Sequence, residues 1–189
     1  PGVWDEMRQA DGNARPAWAR LMDWMPPAAP GADGAATLDR RVGQVSERIR
    51  QDGVTHNVFS ESGVAARPWS LELLPMLIEA ADWARIERGV IQRARLLQAV
   101  LDDVYGPQRM LHEGLLPPAL VLRHPGYQRP LQGVVPPGGQ RLYIVAFDIA
   151  RHADGSWWLM AQRLQGPSGL GYVMHNRLVI SRQFPDAFR

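Results

Sequence analysis

The sequence predicts an α+β fold, and three patterns support this class. Apolar residues recur at spacings of three and four over residues 79–105, which is typical of one long helix with a continuous buried face. Two β-rich runs flank Asp154-Gly155 and predict an antiparallel hairpin over residues 142–164, because this pair tolerates the positive φ angles of a tight turn. A C-terminal helix is predicted over residues 172–182.

Length and composition favour one globular domain. The chain has 189 residues, of which 46% are hydrophobic and 21% charged, so it can bury an ordinary core. We expect a single domain over residues 1–189, mainly helical over 1–139, with the hairpin, a glycine-rich loop and a helix in 140–189. The sequence contains no apolar run of transmembrane length and no signal-peptide pattern, which predicts a cytoplasmic protein without a membrane partner.

The residue types that are missing exclude several chemistries. The chain contains no cysteine, and all 21 basic residues are arginine. Disulfides, thiolate metal sites, Schiff bases and the P-loop lysine are therefore excluded. The formal net charge is only +2 and the arginines are scattered among acids, so we expect no nucleic-acid partner.

Two helices are predicted before residue 53. Pro16 opens a short helix that stops before Pro26-Pro27, since proline suits the first turn of a helix and interrupts its interior. The next helix is predicted over residues 37–52, with Thr37 as its N-cap and Gly53 as its end.

Short extended pieces and the long helix follow. Residues 54–59 predict a strand and residues 67–70 a turn. The apolar stripe of the long helix begins at Trp83 and is expected to lie in the core, whereas charged pairs such as Asp102-Asp103 are expected on its solvated side. Gly106-Pro107 ends this helix, and a helical or irregular piece is predicted over residues 110–122.

The hairpin places a carboxylate in an apolar strand. With a two-residue loop, Arg151 faces Trp158 and Asp148 faces Ala161, and Asp148 shares its face with Arg163. A buried carboxylate requires a partner, because an isolated buried charge is costly. That partner is a metal ion or a nearby arginine, with Arg163 as the first candidate and Arg151 as the second.

A glycine-rich loop precedes the last helix. The backbone amides of Gly166–Gly171 and the helix N-terminus could hold an anion, or the loop could simply be a tight connection. The five histidines show no metal-ligand spacing, and no histidine and acid can be placed beside Ser168 to make a hydrolase triad.

Several motifs in order resemble one protein family. They include ADWARIERGVIQRARLLQAVLDDVYGPQRML, HEGLLPPALVLRHPGY, FDIAR, ADGSWW, GPSGLGYVMHNR and FPDAF. Together they resemble the N-terminal part of the circularly permuted type 2 ATP-grasp proteins, a bacterial family similar to glutathionylspermidine synthase. The resemblance implies a partial ATP-grasp-like fold. It also implies an ATP- and magnesium-dependent ligase that joins a carboxylate to an amine through an acyl-phosphate.

The same resemblance indicates a damaged metal site. The family pattern on the second hairpin strand is Glu-Asp-Asn-Leu-Arg, whereas residues 161–165 here are Ala-Gln-Arg-Leu-Gln. Asp148 remains as a metal ligand, and we expect Arg163 to occupy the place of the ion. The resemblance implies cofactor-binding roles for five residues that are kept: Arg151, Ser168, Gly169, Asn176 and Arg177.

These features lead to one function hypothesis and two alternatives. The first is a degenerate, non-catalytic ATP-grasp-like module, without a cofactor in this chain, that acts as an interaction or regulatory part of a longer chain or complex. The second is a fragment of an active ligase that uses ATP and magnesium. The third is a small-molecule- or anion-binding protein that uses the glycine-rich loop and Arg177. In each case the expected partner is the rest of a longer chain, another protein or a second copy.

Overall fold

A computed structural model describes residues 4–25, 33–56 and 67–188. The helices are α1 Pro16–Trp24, α2 Gly34–Gln51, α3 Ala80–Val104, α4 Arg109–His112, α5 Pro118–Leu122 and α6 Leu170–Gln183. The strands are β1 Thr55–His56, β2 Arg67–Pro68, β3 Ala146–Arg151 and β4 Trp157–Arg163, and short 3-10 turns cover Arg129–Leu131, Pro137–Gly139 and Pro185–Phe188. The predicted α+β class is confirmed. No helix in the described ranges has the length and apolar character needed to cross a membrane.

The chain divides into two compact units. One comprises residues 1–4 and 80–167, here called the hairpin unit, and the other comprises residues 5–79 and 168–189, here called the terminal unit. Each unit draws on separate stretches of the sequence, so chain neighbours are not always in the same unit. That residues 1–189 form a single domain stays a prediction.

The terminal unit packs α1, α2 and α6 around a small apolar core. Its buried side chains are Trp18, Leu21, Val45, Ile49, Leu73, Val179, Ile180 and Phe184. The α1 and α2 residues recur at three- and four-residue spacings, which places them on one face of each helix. Burial of these faces is the main stabilising contribution that the sequence provides here.

Two details of the terminal unit differ from the sequence predictions. Helix α2 begins at Gly34, because the Asp33 carboxylate accepts the Ala35 N–H at 3.0 Å and caps the helix. Thr37, predicted as the cap, lies inside the first turn, and its hydroxyl donates to the Asp33 carbonyl at 3.2 Å. Residues 67–70 do not form a free turn, since β2 pairs antiparallel with β1.

The ends of the predicted elements are partly confirmed. Gly53 ends α2 with a φ of +67°, as the sequence predicts. The predicted strand over residues 54–59 is present as β1, while residues 57–59 lie outside the described ranges. Helix α6 begins two residues before its predicted start, directly after Gly169, which has a φ of +110°.

The hairpin unit is built on α3, whose bounds match the predicted helix within one residue at each end. Its apolar stripe is less buried than expected: Ile86 and Val104 are buried, but Trp83 is 53% exposed. The acids at its C-terminal end are not simply solvated. Asp103 accepts the N–H groups of Arg109 and Met110 at 2.9 and 3.0 Å and so starts α4.

Strands β3 and β4 form the predicted antiparallel hairpin, but the loop has three residues. His152 and Ser156 close it, with the Gly155 N–H donating to the His152 carbonyl at 2.8 Å and Gly155 at a φ of +86°. Arg151 therefore faces Trp157 rather than the predicted Trp158. Three-residue loops place a glycine in this left-handed conformation, which Asp154-Gly155 supports as well as it supports a two-residue turn.

A β-bulge restores the predicted pairing farther along the hairpin. The register shifts between Asp148 and Ile149, and Met160 on β4 has no partner on β3. Asp148 consequently faces Ala161, as predicted. The extra loop residue and the extra bulge residue shift the register in opposite directions and cancel.

The carboxylate of Asp154, in the hairpin loop, has a lowered pKa that a titration can measure. Hydrogen bonds from the Ser156 hydroxyl and backbone N–H lower the pKa of Asp154 to about 2. A lowered pKa in the folded state means that the loop interaction stabilises the fold at pH above the unfolded value and weakens as pH falls through about 2. Ser156→Ala should raise the Asp154 pKa toward its ordinary value of 3.8 in a carboxyl-carbon NMR titration, whereas Ser168→Ala should leave it unchanged.

Candidate functional site

The first candidate site is the face of the hairpin that carries Asp148. The backbone pairing puts Ala161 opposite Asp148 and Arg163 opposite Ala146, so Arg163 lies diagonally across from the carboxylate. An Nη2 group of Arg163 donates to Oδ2 of Asp148. The sequence left a metal ion, Arg163 or Arg151 open as the partner of this carboxylate, and the structure shows Arg163.

The expectation that Asp148 is buried is wrong. Asp148 is not buried, since 42% of its side chain is exposed, and 65% of the Arg163 side chain is exposed. The pair is therefore a surface ion pair, and such pairs contribute about 0–1 kcal/mol to stability. The contact therefore contributes little to the stability of the fold.

The donor set on this face does not fit a magnesium ion. Magnesium binds oxygen ligands in octahedral geometry and is held through carboxylates. Here the one carboxylate is bound by a guanidinium, and Ala161 places a methyl group opposite it. Across residues 4–25, 33–56 and 67–188, no three histidine or acidic side chains come together in an arrangement that could hold a metal.

Arg151 lies on the other face of β3 and is almost fully buried. Its guanidinium donates to Oδ2 of Asp82 at 3.1 Å, and only 8% of its side chain is exposed. The guanidinium carbon lies 4.2 Å from the ring centre of Trp157 and 4.8 Å from that of Trp4. This arrangement combines an ion pair with two cation–π contacts, so Arg151 joins α3, the hairpin and residue 4.

The sequence did not predict the partners of Arg151. Trp4 lies against Gly155, where an added Cβ would come within 2.3 Å of the indole ring. Glycine at this position is thus required twice, for its positive φ and for the approach of Trp4. Trp4 is distant in sequence from both Asp82 and Arg151, and no local pattern indicates the contact.

The other candidate cofactor residues lie in the terminal unit. Asn176 accepts a hydrogen bond from the indole N–H of Trp69 at 2.9 Å, and the Trp69 ring packs 4.4 Å from that of Tyr172. Arg177 is exposed, with its guanidinium 5.1 Å from the ring centre of Phe188. Asn176 is therefore engaged in a structural contact, and Arg177 remains accessible from solvent.

Ser168 and Gly169 precede α6. Ser168 is exposed, and Gly169 adopts the left-handed conformation from which the helix begins. The candidate residues therefore divide between the units: Asp148, Arg151 and Arg163 in the hairpin unit, and Ser168, Gly169, Asn176 and Arg177 in the terminal unit. Within the hairpin unit, the structure brings Asp148 and Arg163 together.

Comparison with known proteins identifies relatives. An uncharacterized protein of Mycobacterium tuberculosis is 40% identical over 197 residues, covering 100% of this chain and 22% of the relative. An uncharacterized protein of Mycobacterium leprae is 35% identical, covering 98% of this chain and 32% of its own length. One from Synechocystis is 33% identical, covering 100% of this chain and 38% of its own length.

The family model for circularly permuted ATP-grasp type 2 proteins matches residues 75–189. That match includes α3, the whole hairpin and α6, and so contains every candidate site residue named above. This chain spans between a fifth and two fifths of the length of the relatives it matches. With more than half of its residues matched, the chain belongs to the circularly permuted ATP-grasp type 2 family.

Proposed function

We propose that this chain is a degenerate ATP-grasp-like module without catalytic activity, which serves as an interaction or regulatory part of a longer protein or a complex. The observation that carries this proposal is the Asp148–Arg163 ion pair. It occupies the face on which the resemblance to glutathionylspermidine synthase-like proteins places metal ligands. Membership of the family supports the descent of this module from ATP-grasp proteins. The ion pair supports the loss of its metal binding and so of its catalytic activity.

Electrostatics explains why the ion pair opposes metal binding. A divalent cation at about 4 Å from a guanidinium is repelled by roughly 2 kcal/mol even in bulk water, and by more in a less polar site. The alanine at position 161 offers no oxygen to offset this repulsion. Magnesium also loses hydration water reluctantly, so a single shared carboxylate gives it little reason to bind.

A second candidate function is a fragment of an active ligase, and the greater length of the relatives is consistent with a fragment. The chain covers only 22% to 38% of those proteins. In this alternative, residues beyond this chain would supply the groups that hold magnesium and ATP. Its activity would be the ATP-dependent joining of a carboxylate to an amine. The two candidates differ in whether the Asp148 face takes part in metal binding.

Restoring the family residues tests the proposal. Ala161→Glu together with Arg163→Asn places a carboxylate and an amide opposite and diagonal to Asp148. Manganese, which can replace magnesium and is visible by electron paramagnetic resonance, should bind this double variant at least about tenfold more tightly than it binds the natural chain.

A matched variant controls for charge alone. Met160→Glu with Arg163→Asn makes the same change in net charge, but its new carboxylate stands at the bulge position, which has no partner on β3. The control should bind manganese weakly. Equal affinities of the two double variants would show that the Asp148 face is not a former metal site. Tight binding by the natural chain would support the ligase alternative.

A further inference from the structure

The hairpin unit contains a cavity on the face of the hairpin opposite to Asp148. It has a volume of about 580 Å³ and lies between α3 and the hairpin strands. Its lining residues are Arg85, Ile86, Gly89, Val90, Gln92, Arg93, Leu96, Ile149, Trp157, Trp158 and Leu159. Because Ile149 follows Asp148 in β3, the two side chains point to opposite faces of the sheet. Cavities of this size are typical of small-molecule sites.

The charge of this lining is one-sided. It includes Arg85 and Arg93 but no aspartate or glutamate. Neither arginine forms an ion pair with any residue that the structure describes. Three other arginines of this unit are paired: Arg141 with Asp102, Arg151 with Asp82 and Arg163 with Asp148. The groove thus offers two guanidinium groups without a carboxylate to neutralise them.

The spacing of the arginines sets the form of the ligand. Positions 85 and 93 are eight residues apart on one helix, which corresponds to roughly 12 Å along its axis. Gly89 lies midway and leaves open space, since an added Cβ would meet no atom within 4 Å. Opposite it, Ile149, Trp157 and Leu159 supply an apolar wall on the face of the hairpin opposite to Asp148.

Trp157 adds an unused donor to that wall. Its indole N–H is buried and has no hydrogen-bond partner among the residues that the structure describes. Buried donors are rarely left unpaired, because the lost hydration is costly. Two free guanidinium groups and one unpaired N–H make a site rich in donors and poor in acceptors.

We propose that this groove binds an elongated organic anion with an apolar or aromatic body. Its carboxylate, sulfonate or phosphate group pairs with Arg85 or Arg93, and its body lies over Gly89 against Trp157 and Leu159. Guanidinium groups are the side chains best suited to such anions, and the indole ring suits a flat apolar body. The site does not depend on the Asp148 face or on the loss of a metal.

The probe that tests this proposal is 8-anilinonaphthalene-1-sulfonate, an aromatic anion whose fluorescence rises in apolar sites. We expect saturable binding of one probe per chain. Arg85→Gln with Arg93→Gln should weaken it about tenfold, as expected for the loss of two charge-assisted contacts. N-phenyl-1-naphthylamine, the neutral analogue, should bind both proteins within about twofold of each other, because it has no sulfonate.

Two further variants give the test its controls. Arg88→Gln with Arg95→Gln removes the same charge from the same helix at positions that do not line the groove, and should retain binding. Gly89→Leu fills the open space without removing a charge and should abolish binding, while circular dichroism confirms that the helix is intact. Unchanged binding by Gly89→Leu, equal losses in the two arginine pairs, or equal losses for the neutral probe would each overturn the proposal.

Discussion

Phe184→Ala should lower the free energy of unfolding by about 3–5 kcal/mol. Phe184 is 1% exposed and belongs to the core that α1, α2 and α6 form in the terminal unit. Removing the ring deletes buried apolar surface and leaves a cavity among side chains that can collapse only partly. A loss of this size is a large part of the total stability of a small protein, so urea denaturation followed by circular dichroism will detect it.

The matched control is Phe188→Ala, four residues farther along. Phe188 is 42% exposed and touches the guanidinium of Arg177 from one side. Its loss should cost less than about 1 kcal/mol, because little buried surface disappears. If both substitutions had the same effect, Phe184 would not be the core residue that the packing of this unit indicates.

Arg151→Leu should destabilise the protein by about 2–4 kcal/mol. The substitution removes the ion pair with Asp82 and the contacts with the rings of Trp4 and Trp157. It also leaves the Asp82 carboxylate, 31% exposed, without that guanidinium. Arg151→Lys keeps the charge but not the planar group that stacks on the rings, so it should recover only part of the loss.

Arg163→Leu provides the comparison within the same hairpin. This arginine also pairs with an aspartate, but it is 65% exposed, so its substitution should cost less than about 1 kcal/mol. The contrast between the two positions is measurable by urea denaturation. Equal losses would mean that burial does not distinguish them, and a neutral Arg151→Leu would make the proposed cofactor-binding role of Arg151 the better explanation for that residue.

The sequence predicts well those elements that depend on local periodicity. The spacing of apolar residues predicts α3 to within one residue at each end, and Asp154-Gly155 predicts the hairpin. Helix caps are harder, because Asp33 and Thr37 are both good cap residues and the choice depends on where the chain enters the helix. The pairing of Asp148 with Ala161 was predicted correctly although the loop length was not, since Met160 forms a bulge.

Contacts between residues that are distant in sequence explain why some predictions of burial and of side-chain partners were wrong or missing. The apolar first strand predicts a buried carboxylate at Asp148, yet this side chain is half-exposed, and Ala161 and Arg163 are exposed. Whether a face is covered depends on elements distant in sequence, which no strand pattern contains. For the same reason, Asp82 and Trp4 were not predicted as partners of Arg151. Arg85 and Arg93 look like ordinary solvated charges until the hairpin is placed beside them.

The two faces of the hairpin therefore suggest separate roles. The Asp148 face has an ion pair where the resemblance places metal ligands. The opposite face forms a groove with two arginines that lack an acidic partner in the described ranges. A family member can lose one activity and still keep a binding surface, because fold does not determine function.

Calorimetric titration of the natural chain with magnesium-ATP tests the central claim most directly. We expect no magnesium-dependent heat of binding from the natural chain, and a measurable heat from Ala161→Glu with Arg163→Asn. Binding of magnesium-ATP by the natural chain that disappears when EDTA removes the metal would contradict the account. That result would mean that Arg163 does not stand in place of the ion, and it would make an active ligase fragment the better description.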